Sequence, residues 1–315
     1  MRESESTLRT ELGDKLKFNV ILKDYVSIGV GGVADYFYEA DSIEDLVHAV
    51  SLSYKLRIPY LVMGGGYNII PSDSGFPGLV ILNRSSGILF ANDSSQVIVD
   101  SGVNISTLIN LAAGRGLGGM EFMYGIPGTI GGSIYGNAGA FGHEIGGFVK
   151  SLTLLIPKDG QMAIMKHVPG WMKFSYRGSY LKDAYRDAEF KPIILTARIQ
   201  LVQRRRDEII KIIQTRLSEK KKKQPLNEKS AGSFFRNIGA RPEQSAGYLL
   251  DQAGAKRLRV GGASFSKKHA NFLINSKHAT ANDVRTLAKQ AQSLVKEKFN
   301  YDLLEEIEYI GQWSD

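Results

Sequence analysis

The sequence predicts an α+β fold: a glycine-rich N-terminal unit in two parts, followed by a C-terminal α+β domain. Three observations predict it. A strand–helix–strand unit, followed by a second unit of two strands and a helix, precedes residue 116. Nine glycines fall between Gly125 and Gly147, where average usage of about 7% would put roughly two. Beyond the charged stretch 204–223 the pattern changes to long amphipathic helices with short strands between them.

The elements follow in order. VADYFYE (33–39) reads as a strand. Ser42 is a helix N-cap with Asp45 three residues on, and Ile43, Leu46, Val47 and Val50 share one helical face. Pro59 closes that helix, and YLVM (60–63) is a short buried strand running into Gly64-Gly65-Gly66. Strands near 79–82 and 96–100 precede a helix over 106–113, stopped by Gly114 and Gly116. Further strands are expected at 150–156 and 192–202. In the last third, Ile209, Ile212, Ile213 and Leu217 mark a helix ending in the lysine run. A second helix spans 281–298, with Thr280 as cap, Asp283 at the third position and a stripe from Val284 to Val295. Strands are expected at 258–265, 271–275 and 306–310.

Composition bounds the function. The chain has 315 residues, 43% hydrophobic and 23% charged, as in an ordinary globular protein of two or three domains. No apolar run approaches the ~18 residues a bilayer span needs, and the polar, acid-containing N-terminus does not read as a targeting segment. A cytoplasmic enzyme is expected. The absence of cysteine removes disulfides, thiolate metal sites and cysteine nucleophiles. His48, His143, His167 and His278 have no metal-like spacing, and His269 reads as a structural strand residue, so no metal is expected. The net charge of +8 includes Arg204–Arg206 and Lys220–Lys223. Without aromatic–basic interleaving or zinc-finger spacing, a polyanionic small molecule accounts for that charge, and no nucleic-acid partner is expected.

Glycines after a strand let backbone N–H groups converge on an anion. Gly64-Gly65-Gly66-Tyr67-Asn68 has neither dinucleotide-fingerprint nor P-loop spacing, and a ligand-free tight turn explains it equally well. Gly125-Ile126-Pro127-Gly128-Thr129-Ile130-Gly131-Gly132 is more demanding: Ile126 is pushed extended by Pro127, and Gly131 and Gly132 can open a short helix against a ligand. Asn137-Ala138-Gly139-Ala140 adds an amide and small residues. Two such segments suit a dinucleotide carrying a large flat ring.

The stretches MGGGYNIIPSDSGFPGLVI, GLGGMEFMYGIPGTIGGSIYGNAGAFG, FSYRGS, QPLNEKSAGSFFRN and RVGGASFSKKHANFLIN, in this order, resemble the UDP-N-acetylenolpyruvoylglucosamine reductase family over residues 20–311. The resemblance implies an FAD-binding unit of the vanillyl-alcohol oxidase kind, with subdomains at 1–85 and 86–203, and a substrate-binding domain at 204–315. It implies non-covalent FAD, NADPH as hydride donor and a UDP-sugar substrate, in a monomer or weak dimer that makes a peptidoglycan precursor. Hydride passes to C3 of the enolpyruvyl ether and a protein acid protonates C2. By motif, Arg177 holds the substrate carboxylate, Ser233 donates the proton and Glu306 stabilises the enolic intermediate. The cofactor-binding positions are Gly64, Gly65, Gly66, Asn68, Gly125, Pro127, Gly128, Gly131, Gly132, Asn137, Ala138 and Gly139. Tyr176, Lys223 and Asn237 are the substrate-binding positions.

The chemistry asks for these residue types: a guanidinium binds a carboxylate that gains charge, and a glutamate helps there only when protonated. Without the resemblance, Arg177 would read as a surface arginine, Ser233 as a turn residue and Glu306 as an exposed strand residue. The sequence departs from the family at 25–32 (YVSIGVGG in place of a Thr-Thr pair and a basic residue), at Tyr67 for serine and at Gly178 for aspartate. Only 56 residues separate Arg177 from Ser233, too few for the tyrosine-bearing substrate loop of part of the family. The alternatives are an FAD oxidase of the same fold acting on a sugar or hydroxy acid, and a non-enzymatic protein binding nucleic acid through its basic runs.

Overall fold

The computed structural model describes residues 2–92, 94–186 and 188–313. Strands and helices are interspersed along the whole chain, giving the α+β class. The chain divides into two compact units: Met1–Phe18, Tyr36–Gly64 and Gly78–Glu219 form the first, and Asn19–Asp35, Gly65–Pro77 and Lys220–Asp315 the second.

A four-stranded sheet orders Leu16–Ile21, Val33–Ala40, Phe76–Asn83 and Tyr60–Met63, the last two parallel from Tyr60↔Leu79 to Met63↔Leu82. The helix Ile43–Lys55 starts where expected, the Ser42 hydroxyl accepting the Asp45 N–H at 3.0 Å. Its face of Leu46, Ala49 and Val50 joins Leu79 and Ile81 in one core. The second sheet of this unit is antiparallel, ordered Gln161–His167, Val149–Lys158, Ile193–Gln200, Gln96–Asp100 and Ile88–Phe90. The helix Ile105–Gly114 begins one residue earlier than its apolar pattern suggests, because Asn104 Oδ1 accepts the Ser106 N–H and supplies the cap. The helix Arg206–Lys223 buries Ile209 and Ile213 in a separate core with Val97, Val99, Ile105 and Leu108.

In the second unit, the helix Ala281–Phe299 carries the capping box read from Thr280 and Asp283, and buries Val284, Leu287, Ala288, Ala291 and Val295. Its first N–H groups, at Ala281 and Asn282, also donate to the Asp73 carboxylate at 2.8 and 2.9 Å. The strand expected over 258–265 is instead a hairpin, Arg259–Val260 against Ala263–Phe265. Gly261 (φ +50°) and Gly262 make the turn, and a side chain at 262 would run into the Lys277 carbonyl. Such a tight two-residue turn favours glycine. The last strand is shorter than expected, Glu308–Ile310, and pairs in parallel with Ile69–Pro71. Among the described residues no helix is long and apolar enough to cross a membrane.

Candidate active site

Arg177 sits at the tip of a four-residue loop in the first unit. Ser175 and Gly178 close the loop with reciprocal backbone hydrogen bonds of 3.1 Å each, and Arg177 adopts φ +57°. A Cβ at residue 178 would stand 2.5 Å from the Ser175 hydroxyl, so the loop as closed here favours glycine. The guanidinium is anchored: Nη2 donates to the Gly139 carbonyl at 2.8 Å and the group lies over the Tyr176 ring at 5.1 Å. Tyr176 is 48% exposed.

Asn137 lies beneath this loop, 1% exposed and at φ +45°. Its Nδ2 donates to Glu144 Oε2 at 2.7 Å and to the Ser175 carbonyl at 2.8 Å, while its Oδ1 accepts the Gly146 N–H at 3.0 Å. The side chain is thus engaged on two loop segments.

The glycines of the motif segments divide by what their α-carbons face. At Gly64 a Cβ would meet the Thr129 hydroxyl at 2.5 Å, at Gly131 the Ser101 Cβ at 2.8 Å, and at Gly139 the His143 carbonyl. At Gly65 it would meet the Tyr67 ring, and at Gly66 (φ +66°) the Tyr25 carbonyl. These are positions the protein itself crowds. Gly128 (φ +142°) and Gly132 differ: the nearest atoms to their added carbons lie at 3.9 and 3.6 Å. Gly125 takes φ +72° before Pro127. The helix Ile130–Tyr135 forms as read, capped by Thr129. Its first N–H groups are occupied, Ile130 by the Val103 carbonyl, Gly131 by the Ser101 carbonyl and Gly132 by Thr129 Oγ1. A phosphate at this segment would therefore take other donors. Two uncrowded glycine α-carbons beside a short helix fit the close approach of a flat cofactor such as FAD.

In the second unit the structure brings Ser233 and Glu306 onto one backbone ladder. Glu306 N–H donates to the Phe234 carbonyl at 2.8 Å, and Phe235 bridges Glu305. Asn68 Nδ2 donates to the Glu306 carbonyl at 3.1 Å, tying the end of the GGGYN motif to the same point. Asn271, buried, accepts the Phe234 N–H on its carbonyl and brackets Phe235 with its side chain. Beside Glu306, burial pushes the Glu305 carboxyl above its ordinary value, opposed by the Tyr309 hydroxyl that donates to it and by Arg285 and Lys289.

Ser233 also lines a cleft of about 390 Å³ with Asn237, Lys256, Lys268, His269 and Asn271. Asn237 Oδ1 accepts the Ala246 N–H at 3.0 Å and so fixes the start of the helix Ala246–Ala253. Lys256 pairs with Asp251 at 2.9 Å. His269 Nδ1 accepts the Asn271 N–H, and burial, with the nearby Lys256 charge, holds the imidazole below its ordinary value against a smaller opposing effect of Asp251. Lys223 is exposed, whereas Lys220, one turn earlier, is 6% exposed and lowered by burial to about 8. The sequence pointed to Lys223 and passed over Lys256 and Lys268. The KKHANF motif was the available signal for Lys268; Lys256 had none.

Arg177 belongs to the first unit, Ser233 and Glu306 to the second. Among the described residues no cluster of three or more metal-ligating side chains occurs.

Comparison with known proteins matches two family profiles. The FAD binding domain matches residues 34–165, and the C-terminal domain of UDP-N-acetylenolpyruvoylglucosamine reductase matches residues 224–310. A relative of that reductase name from Caldanaerobacter subterraneus is 35% identical over 298 residues, 95% of this chain and 94% of the relative. One from Protochlamydia amoebophila is 37% identical over 302 residues, 95% of each chain. The crystal structure of UDP-N-acetylenolpyruvylglucosamine reductase from Thermus caldophilus is similar with a TM-score of 0.73 and 33% identity, covering 92% of this chain and 97% of that one.

Proposed function

The chain belongs to the UDP-N-acetylenolpyruvoylglucosamine reductase family, and from that premise we propose that it reduces UDP-N-acetylglucosamine enolpyruvate to UDP-N-acetylmuramate, with NADPH as reductant, in peptidoglycan precursor synthesis. The observation that carries this reading is the near full-length match to reductases of this name, including the profile specific to their C-terminal domain. Bound FAD supplies the hydride relay between NADPH and the enolpyruvyl group. Gly128 and Gly132, with Gly125, Pro127 and Ala138, would lie against it. Both substrates are soluble nucleotides, so we place the enzyme in the cytoplasm, as a monomer or weak dimer.

The residue roles follow from the charge that develops. Adding hydride at C3 pushes negative charge onto the substrate carboxylate, and Arg177 binds that group more tightly as the charge builds. The anchor on the Gly139 carbonyl orients the guanidinium before substrate arrives. Ser233 delivers the proton to C2; a hydroxyl is a weak acid and needs a polarising neighbour to do so, while the backbone beside it is tied down by Phe234, whose carbonyl accepts the Glu306 N–H. Glu306 is the residue that stabilises the enolic intermediate. In the cleft beside Ser233, Asn237, Lys256 and Lys268 suit the diphosphate, with Lys223 and Tyr176 as further substrate contacts.

The test is a reaction of the purified flavoprotein with NADPH and the enolpyruvyl UDP-sugar. NADPH oxidation should require the UDP-sugar, and the product should be heavier by two hydrogens. NADPH oxidation with oxygen alone, indifferent to the UDP-sugar, would favour an oxidase instead.

A further inference from the structure

Arg177 is held by a closed circuit of contacts that returns to Asn137. The Asn137 amide donates to the Ser175 carbonyl, at the start of the loop that carries Arg177. The Arg177 guanidinium donates to the Gly139 carbonyl, two residues beyond Asn137. Gly139 pairs across a two-residue strand with Glu144, and the Glu144 carboxylate accepts the second N–H of the Asn137 amide. Asn137 Oδ1 meanwhile accepts the Gly146 N–H, closing the return of the Gly139–Gly146 segment. Both donors and the acceptor of one buried amide are thus engaged on the two segments that fix the arginine. Only a side chain offering two N–H donors and an oxygen at this length can do so.

We infer that Asn137 and Glu144 are positioning residues for Arg177, setting the guanidinium to meet the substrate carboxylate, rather than contacts of the cofactor. The inference rests on the reading that Arg177 binds that carboxylate. An aspartate at 137 would lose both donors and set two carboxylates 2.7 Å apart, whereas an alanine leaves the Ser175 carbonyl and the Glu144 carboxylate without the amide. The arginine would then hold its charge but not its aim, and small misplacement of a catalytic group costs up to about a hundredfold.

A double-mutant cycle on the FAD-loaded enzyme tests this. Asn137→Ala, Arg177→Ala and the double variant are compared by flavin content, by the rate of flavin reduction with NADPH and by the rate of re-oxidation with the enolpyruvyl substrate. Asn137→Ala should keep FAD and its NADPH rate and slow re-oxidation about tenfold or more, and the double variant should be no slower than Arg177→Ala, as for residues acting as one unit. Glu144→Ala should give a milder loss of the same kind, with Glu144→Gln, which retains an oxygen acceptor, recovering most of it. Should Asn137→Ala fail to fold, the Glu144 pair carries the test alone.

Loss of FAD from Asn137→Ala, equal slowing of both half-reactions, or additive losses in the double variant would overturn the inference. So would identical rates for Glu144→Ala and Glu144→Gln. If Arg177→Ala itself re-oxidises at the wild-type rate, the reading of Arg177 has failed instead, and the cycle separates the two failures.

Discussion

Asn271 grips Phe235 from both sides: its Oδ1 accepts the Phe235 N–H at 2.9 Å and its Nδ2 donates to the Phe235 carbonyl at 2.8 Å. A side-chain amide here imitates a neighbouring strand across 36 positions of sequence. Ser233 and Glu306 are aligned through this clamp, since Phe234 bonds Asn271 on one side and Glu306 on the other.

Asn271→Ala should therefore cost stability on the order of 1–3 kcal/mol, because it leaves buried backbone groups without partners. Urea unfolding measures this, and Asn271→Asp should be no better, since a carboxylate cannot donate to the Phe235 carbonyl. A midpoint unchanged in both variants would show that the clamp is not needed.

Gly131 and Gly147 make a matched pair. A methyl group at 131 would stand 2.8 Å from the Ser101 Cβ, while nothing lies within 4 Å at 147. Gly131→Ala should destabilise by about 1–3 kcal/mol through overpacking, and Gly147→Ala should stay within about 0.5 kcal/mol of wild type. Thermal unfolding of the two variants checks the contrast; equal melting temperatures would contradict it.

His269 is held neutral by burial, so its folded pKa lies below the ordinary 6.5. The unfolded chain then binds the proton first as pH falls, and stability should be lost progressively below about pH 6.5. Unfolding curves between neutral and mildly acidic pH, for wild type and His269→Gln, test this: the variant should show the shallower dependence. An identical slope in both would remove His269 as the source.

Much of this fold is legible in the sequence where the signal is local. Ser42 with Asp45, Thr280 with Asp283, and the stripe from Val284 to Val295 each specify an element within one or two turns. The helix Ala246–Ala253 is not legible, although Ser245 caps it and Gly254, at φ +85°, ends it; its few apolar residues give too short a stripe. The hairpin at 259–265 reads as one strand because two-residue strands carry no alternation. The motifs named Arg177, Ser233 and Glu306, but not what holds them. Asn137 reaches Ser175 across 38 positions and Asn271 reaches Phe235 across 36, and no local pattern encodes such pairings.

Arg177→Lys should lower turnover by about tenfold or more while leaving FAD bound. The charge is kept, but an ammonium cannot hold both the Gly139 carbonyl and a carboxylate in a planar fork. Steady-state kinetics decide it, and wild-type turnover would remove Arg177 from the site.

The central claim is tested most directly by stopped-flow on anaerobic enzyme reduced with NADPH and then mixed with the enolpyruvyl UDP-sugar. Wild-type enzyme should re-oxidise with the UDP-sugar. Ser233→Ala should accept hydride from NADPH near the wild-type rate but re-oxidise about 10²–10⁴-fold more slowly, the usual loss for one positioned acid. Re-oxidation of Ser233→Ala at the wild-type rate would remove Ser233 as proton donor. Reduced wild-type enzyme that the UDP-sugar leaves unchanged would contradict the proposed reaction itself.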